Sequence, residues 1–204
     1  MEIKKNKITA ILGIDTNLNI DEEKLELDFL KSIKMIDYLK NKFKNINEEK
    51  INEALKICLL NETDKQKPLN VLSSNEIEKL ELAIKLLENR EMIILSDFEI
   101  NFLNREFNYF KSLFKKMVTK YNKTVVFITN NLTKIMDIID FILVVENKTV
   151  VLELNAKNIY YDKIYDYVDM PEIINFVKLA KKNHAKLEDY TDINELIKGI
   201  FRSV

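Results

Sequence analysis

The sequence is poor in the residues on which most reactive and phosphate-binding sites depend. Its 204 residues include two glycines, one histidine and one cysteine, and no tryptophan. Gly13 and Gly199 alone leave little capacity for a loop that encloses a phosphate, because close backbone approach to a phosphate depends on glycine. The single cysteine, Cys58, excludes an intrachain disulfide and favours a reducing compartment.

Charge and hydropathy exclude further classes of protein. The formal net charge of −1 removes the electrostatic basis for a general nucleic-acid binder. No apolar run approaches the roughly 20 residues that a membrane span needs, and the first five residues lack the apolar segment of a signal peptide. With 47% hydrophobic residues, the chain can form a sizeable core. We therefore expect a soluble, cytoplasmic protein.

Short apolar runs alternate with helical patterns over most of the chain. Runs such as Thr124–Ile128 are typical of strands buried on both faces, as in parallel sheets. Strand–helix–strand order predicts an α/β domain with a mainly parallel sheet and right-handed crossovers. The predicted strands are Ile8–Leu12, 92–95, Thr124–Ile128, 141–145 and 149–153, and the predicted helices are 25–43, 51–58, 73–87, 102–118 and 132–139.

After Leu154 the pattern changes to helices alone. Three helices are predicted there, at 156–166, 172–184 and 192–201. We therefore predict two parts, an α/β domain over residues 1–154 and a helical C-terminal region over residues 155–204. The Asn147-Lys148 pair is a plausible turn of a strand hairpin that closes the first part, although it lacks glycine.

Three motifs follow one another in the central part of the sequence. Leu72-Ser73-Ser74-Asn75-Glu76 opens a helix, a buried strand runs into residues 97–104, and Thr129-Asn130-Asn131 follows another strand. Their order and spacing resemble the second half of an ABC-type ATPase, with its LSGGQ signature, its acidic Walker B pair and its switch histidine. The segment from Ile8 to Gly13 is similar to the strand that leads into the phosphate-binding loop of that family.

The C-terminal region resembles the helical extension of the energy-coupling-factor ATPases, which serve vitamin and metal importers. Met170-Pro171-Glu172, Leu179 to Lys182 and Thr191 to Leu196 carry this likeness. The resemblance implies a three-layer P-loop-NTPase-like fold that is N-terminally truncated, because no β region precedes Ile8. It also implies pairing of ATPase subunits through the C-terminal helices, at about residues 165–201.

The phosphate-binding loop that the resemblance implies has lost its chemistry. The family pattern G-x-x-x-x-G-K-[ST] uses glycine amides, a lysine and a hydroxyl to hold the phosphates and Mg²⁺. Counted from Gly13, Leu18 stands at the position of the second glycine, Asn19 at the position of the lysine and Ile20 at the position of the hydroxyl residue. Two nearby aspartates would repel a phosphate.

The acidic and switch motifs are degenerate as well. Asp97 stands where the resemblance places the aspartate linked to Mg²⁺, but Phe98 replaces the glutamate that activates water. Phenylalanine can neither accept a proton nor orient a water molecule. Asn130 replaces the switch histidine, and no glutamine occupies the position that senses Mg²⁺, since the only one, Gln66, precedes the signature helix. We expect no catalytic residue, no metal site and no cofactor.

Ser73 admits two interpretations. The resemblance implies that Ser73 belongs to the signature that contacts a partner's nucleotide. In this sequence Ser74 and Asn75 replace the two glycines of that signature. The alternative is structural, because Ser73 and Glu76 form the S-x-x-E pattern of a capping box at a helix start. The second interpretation is favoured.

Other conspicuous residues have ordinary structural roles as their first interpretation. Cys58 lies on an apolar helical face and is predicted to be a small core residue. His184 closes a lysine-rich helix end. A tyrosine cluster is predicted to form either an interface or core packing: Tyr160, Tyr161, Tyr165 and Tyr167. A lysine cluster is predicted to be a solvated face: Lys111, Lys115, Lys116, Lys120 and Lys123.

These observations favour a pseudo-ATPase, an interaction or regulatory subunit that is not an enzyme. The expected partner is a related ATPase subunit or a second copy, bound through the C-terminal helices, or the membrane coupling subunit of an importer. We do not expect a nucleic-acid partner. We expect peripheral attachment at the inner face of the membrane. The alternative function is a stand-alone regulatory module that binds a nucleotide or another small ligand in a remodelled cleft.

Overall fold

The computed structural model describes residues 2–13 and 32–203, and these form five strands and seven α-helices. They divide into two compact units, Met1–Asn19 with Met92–Val204, and Ile20–Glu91. The boundary predicted between residues 154 and 155 stays a prediction. The elements are β1 (Ile8–Leu12), α1 (Met35–Lys42), α2 (Glu48–Ile57), α3 (Glu62–Lys65), α4 (Ser74–Leu87), β2 (Met92–Ser96), α5 (Asn104–Tyr121), β3 (Thr124–Ile128), β4 (Phe141–Glu146), β5 (Thr149–Asn155), α6 (Glu172–Lys182) and α7 (Ile193–Ser203).

The first unit is built on one sheet with the strand order β2-β3-β1-β4-β5. Strands β1 to β4 are mutually parallel where they pair, and β5 pairs antiparallel with β4. All five residues of β1 and of β3 are buried, as the continuous apolar runs predict for inner parallel strands. The mainly parallel α/β sheet is confirmed.

The hairpin β4–β5 turns at Asn147 and Lys148, which have φ angles of 49° and 61°. Two central residues with positive φ are the requirement of a type I′ turn, whose twist matches that of the flanking strands. Asparagine tolerates this conformation better than most residues. The predicted hairpin is therefore confirmed despite the missing glycine.

Helix α5 packs on the sheet through a stripe of buried side chains, in which Val118 adjoins a series spaced three or four residues apart: Phe107, Phe110, Phe114 and Met117. It ends where Asn122 adopts a left-handed conformation with φ of 53° and donates its N–H to Met117 O, the usual way of terminating a helix without glycine. No helix of the described residues is long and apolar enough to cross a membrane.

Two helical predictions in the first unit are wrong. The segment 132–139 forms consecutive turns. The backbone N–H groups of Met136 and Ile139 donate to the carbonyl four residues earlier, whereas those of Ile135 and Ile138 donate to the carbonyl three residues earlier. The segment 156–166 forms two short 3₁₀ helices, Ala156–Asn158 and Asp162–Asp166. In both segments the i to i+4 bonds that an α-helix repeats along its length are not consecutive.

The second unit is helical. Helix α2 packs against α4, and both bury one apolar stripe, with Leu55, Leu80 and Ala83 fully inaccessible to solvent. Predicted helix 25–43 is confirmed only as α1, and its residues 25–31 lie outside the described part of the chain. Cys58 caps the end of α2.

Candidate functional site

Parallel strands bring their carboxyl ends to one edge of a sheet, where α/β proteins place their sites. In the first unit this edge brings together Gly13 after β1, Asp97 after β2 and Asn130 after β3. The Asn130 Oδ1 atom accepts a hydrogen bond of 3.0 Å from the Gly13 N–H. The Asn130 side chain therefore binds the backbone at the end of β1. Asn19 lies outside the described residues.

Gly13 has a structural reason to be glycine. Its φ is 145°, and a Cβ placed on it would lie 2.0 Å from the carbonyl oxygen of Val145 on β4. Any other residue would have to displace the backbone of a neighbouring strand. The close contact between β1 and β4 therefore accounts for this glycine without a phosphate.

Asp97 is exposed and adopts a left-handed conformation with φ of 50° and ψ of 22°. Its N–H donates to Ile128 O over 2.9 Å, which continues the pairing of β2 with β3 past the strand ends. No group of three or more histidine, cysteine, aspartate or glutamate side chains suited to a metal occurs within residues 2–13 and 32–203.

Phe98, the residue after Asp97, points into the core and is fully buried. Its ring centroid lies 4.5 Å from that of Phe102, 5.3 Å from that of Phe110 and 5.7 Å from that of Phe114. The Phe110 and Phe114 rings meet it edge-on, an arrangement that places ring hydrogens against a ring face. The position that carries the water-activating glutamate in the resembled family is thus part of an aromatic core.

Glu99 is a feature that the sequence analysis missed. It is only 1% exposed, and its Oε1 accepts a hydrogen bond from the Thr129 hydroxyl. Its Oε2 is buried and has no hydrogen-bond partner among the described residues. Burial raises the pKa of Glu99, and the charge of Asp97 raises it further, against the Thr129 bond. No motif signals this burial, because glutamate in a loop is usually exposed.

Lys134 fixes the same loop from outside. Its Nζ donates to Glu99 O over 2.9 Å and to Phe102 O over 2.6 Å. With the Thr129 bond and the Asp97 backbone bond, four contacts hold residues 97–102 onto the segment 128–134. A loop clamped at both ends and packed on aromatic rings is poorly suited to rearrange around a substrate.

In the second unit Ser73 forms the predicted capping box, which is confirmed. Its Oγ accepts from Glu76 N at 3.3 Å, and Glu76 Oε2 accepts from Ser73 N at 2.8 Å. Although burial raises the pKa of Glu76, bonds from Lys67 and Ser73 hold it below its usual value. A charged carboxylate thus occupies the start of α4, which disfavours an anionic phosphate there.

The remaining candidates have structural roles. Burial strongly raises the pKa of the Cys58 thiol, so this fully buried cysteine is not a nucleophile. Tyr160 and Tyr165 donate hydrogen bonds to the carbonyls of Tyr190 and Ile159, and burial raises the pKa of Tyr160 to about 12. Gln66 accepts a bond from Lys34. The hydroxyl–carboxylate pair that the described residues form at this sheet edge, Thr129 with Glu99, is buried.

No established protein family matches the sequence, and no curated protein matches it. Solved structures do match. The ATP-binding cassette MJ0796, a dimer in a post-hydrolysis state bound to ADP and Pi, has a TM-score of 0.63 at 16% identity, covering 76% of this chain and 88% of that one. The cbiO1 protein of Clostridium perfringens, part of the ABC transporter complex cbiONQ, has a TM-score of 0.58 at 19% identity, covering 87% and 90%. A bacterial Atm1-family exporter with ATP bound has a TM-score of 0.63 at 12% identity, covering 80% and 36%. The fold is that of ABC-transporter ATPase cassettes, as predicted, and the finer likeness to the energy-coupling branch stays a prediction.

Proposed function

We propose that this chain is a non-catalytic relative of the ABC-transporter ATPases and acts as an interaction subunit of such an assembly. The observation that carries the proposal is Phe98, because the position that must hold a water-activating carboxylate is filled by a ring in a packed core. The bond between Asn130 and Gly13 supports it further, since the switch position is occupied by an internal contact.

The proposed association surface is formed by the two C-terminal helices. Helices α6 and α7 expose large apolar side chains, which is unusual for a surface that only meets water. A groove of about 640 Å³ lies beside them and is lined in part by Phe107 and Met136. Five apolar side chains form this C-terminal patch: Phe176, Leu179, Ile193, Ile197 and Phe201.

Gly199 fixes which side of α7 faces outward. A Cβ at this position would lie 2.2 Å from the Tyr190 hydroxyl, so α7 presses its Gly199 and Leu196 side against the unit. The opposite stripe, with Ile193 at 56% exposure and Phe201 at 80%, is left exposed. We propose a related ATPase subunit as its partner, by analogy with the dimer that MJ0796 forms. Such a subunit would work in the cytoplasm at the inner face of the membrane.

Nucleotide titration tests the catalytic half of the proposal. A site with a dissociation constant near 10 μM would stabilise the fold by about 2.7 kcal/mol at 1 mM ATP. We expect no binding heat, no shift in melting temperature and no hydrolysis, with or without Mg²⁺. Micromolar binding would contradict the proposal and favour a regulatory nucleotide-binding module instead.

Association is tested by mixing the protein with an intact energy-coupling-factor ATPase and measuring complex formation by size-exclusion chromatography with light scattering. An Ile197→Asp variant should lose the complex. Val71→Asp is the matched control, because Val71 is 60% exposed and lies in the other unit. Equal loss in both variants, or no complex with the unaltered protein, would refute the role of the C-terminal patch.

A further inference from the structure

The outer side of α5 carries several positive charges, and the single acidic residue of this helix, Glu106, lies in its first turn. From Phe107 to Met136 the sequence contains six lysines and no aspartate or glutamate. Four cationic side chains on α5 are exposed. We call these the cationic face of α5: Arg105, Lys115, Lys116 and Lys120.

Packing fixes this face outward. The opposite side of α5 is held by buried Phe107, Phe110 and Phe114, so the helix cannot rotate its lysines inward. Residues 105 and 120 are separated by about 22 Å along the axis, at 1.5 Å per residue. At about 100° of rotation per residue, Lys115 is turned away from Lys116 and Lys120, so the charges form a broad fixed band on the outer side of α5.

The three lysines of this face form no ion pair within the described residues, whereas Arg105 is followed directly by Glu106. Lys111, one turn away, forms an ion pair of 2.6 Å with Asp137, whereas Lys115 and Lys120 form no ion pair with a described carboxylate. Lys116 lies 5.7 Å from the ring centroid of Tyr121, which keeps its charge and leaves it available to an anion.

We propose that the cationic face of α5 adsorbs to an anionic lipid surface. A broad band of positive charge on a helix whose back is buried can face a planar anionic surface along the helix. Lysine ammonium groups act as point charges toward headgroups, without the bidentate geometry that arginine offers to phosphates. Tyr109, 41% exposed on the same side, suits the boundary between water and lipid.

The expected effect follows from the charge count. Each lysine or arginine near an anionic membrane raises the partition coefficient roughly fivefold, and salt weakens this attraction. We expect the full chain to co-sediment with vesicles of phosphatidylcholine containing 30% phosphatidylserine at about 50 mM salt, and not with pure phosphatidylcholine. Binding should fall steeply at about 300 mM salt.

A triple variant isolates the face. Lys115→Gln, Lys116→Gln and Lys120→Gln together should lower partitioning about 100-fold, with an unchanged melting temperature because exposed substitutions cost little. The matched control removes three exposed lysines of the second unit and therefore changes net charge equally: Lys44→Gln, Lys50→Gln and Lys56→Gln. Its partitioning should stay within about twofold of the unaltered protein.

Three results would overturn the proposal. The first is no partitioning into phosphatidylserine vesicles at low salt, and the second is equal loss in both triple variants. The third is binding to a fluorescent DNA duplex or a polyglutamate peptide without binding to vesicles, which would assign the face to another polyanion. None of these outcomes depends on whether the chain hydrolyses ATP.

Discussion

Replacing Phe98 with alanine tests whether the residue after Asp97 belongs to the core. Phe98 is fully buried and its ring lies within 6.4 Å, centroid to centroid, of four other phenylalanine rings. Truncating a buried phenylalanine costs about 3 to 5 kcal/mol, through lost transfer energy and the cavity left behind. Since edge-on and tilted ring pairs add to this cost, we expect a value near the upper end.

Urea denaturation followed by circular dichroism would measure the loss, with linear extrapolation of the free energy of unfolding to water. The same loss should lower the melting temperature by roughly 6 to 20 °C in a chain of this size. Ile100→Ala is the control, because Ile100 lies two residues away and is 58% exposed. It should change the free energy of unfolding by less than about 0.5 kcal/mol.

A loss below about 1 kcal/mol for Phe98→Ala would refute the reasoning, because a well-packed core position cannot be emptied so cheaply. It would mean that the loop after β2 is free to move. The argument against catalysis from Phe98 would then fail, since a mobile loop could present another group to a bound nucleotide.

Three further predictions concern the helix cap, the buried carboxyl group and the strand contact. Ser73→Ala should lower the free energy of unfolding by about 1 kcal/mol, because the capping bond to Glu76 N is lost, while Ser74→Ala should have little effect in the same urea titration. Glu99→Gln should stabilise the protein at pH 7. The pKa of Glu99 is raised in the folded protein, so the protonated side chain is the form that stabilises the fold. This stabilisation is complete when the pH is below the ordinary glutamate pKa of about 4.5, and it is lost as the pH rises through the folded-state pKa. The advantage of Glu99→Gln should therefore shrink toward zero at acid pH, and an advantage that grows on acidification would contradict the assignment. Gly13→Ala should cost more than about 1 kcal/mol in thermal denaturation, because the new Cβ meets Val145 O and the φ of 145° is unfavourable for alanine. An unchanged melting temperature would show that β1 and β4 can separate there.

The apolar runs of the sequence predicted the positions of the strands well. Ile8–Leu12 and Thr124–Ile128 were predicted with the bounds that the structure has, because a β-branched run flanked by polar residues has few alternatives. The Ser73 cap and the start of α4 were also predictable, since the S-x-x-E pattern acts locally.

Two segments with helical apolar spacing, 132–139 and 156–166, were wrongly predicted to be α-helices. In 156–166, Tyr165 donates to Ile159 O and Tyr160 donates to Tyr190 O. The second bond joins residues 30 positions apart, a contact that no local pattern contains. In 132–139 the apolar spacing is helical, and the side chains of Leu132, Ile135 and Met136 are buried as expected. The backbone nevertheless forms turns in which three-residue hydrogen bonds alternate with four-residue ones. Side-chain burial was therefore predictable there and backbone type was not.

The candidate site could be predicted only as a set of sequence positions. The phenylalanine at position 98 was evident from the sequence, but the inward direction of its ring and the burial of Glu99 depend on α5 and on Thr129. The bond between Asn130 and Gly13 joins residues 117 positions apart. Such contacts arise from the sheet order, which periodicity along the chain does not contain.

The aromatic cluster around Phe98 also constrains how this sequence can evolve. A single exchange of Phe98 for glutamate would bury a carboxylate among phenyl rings, at a desolvation cost comparable to the whole stability of a domain. A glutamate could be accommodated at this position only after smaller or more polar side chains had replaced several ring partners on α5. The ring cluster therefore restricts position 98 to apolar residues unless its neighbours change as well.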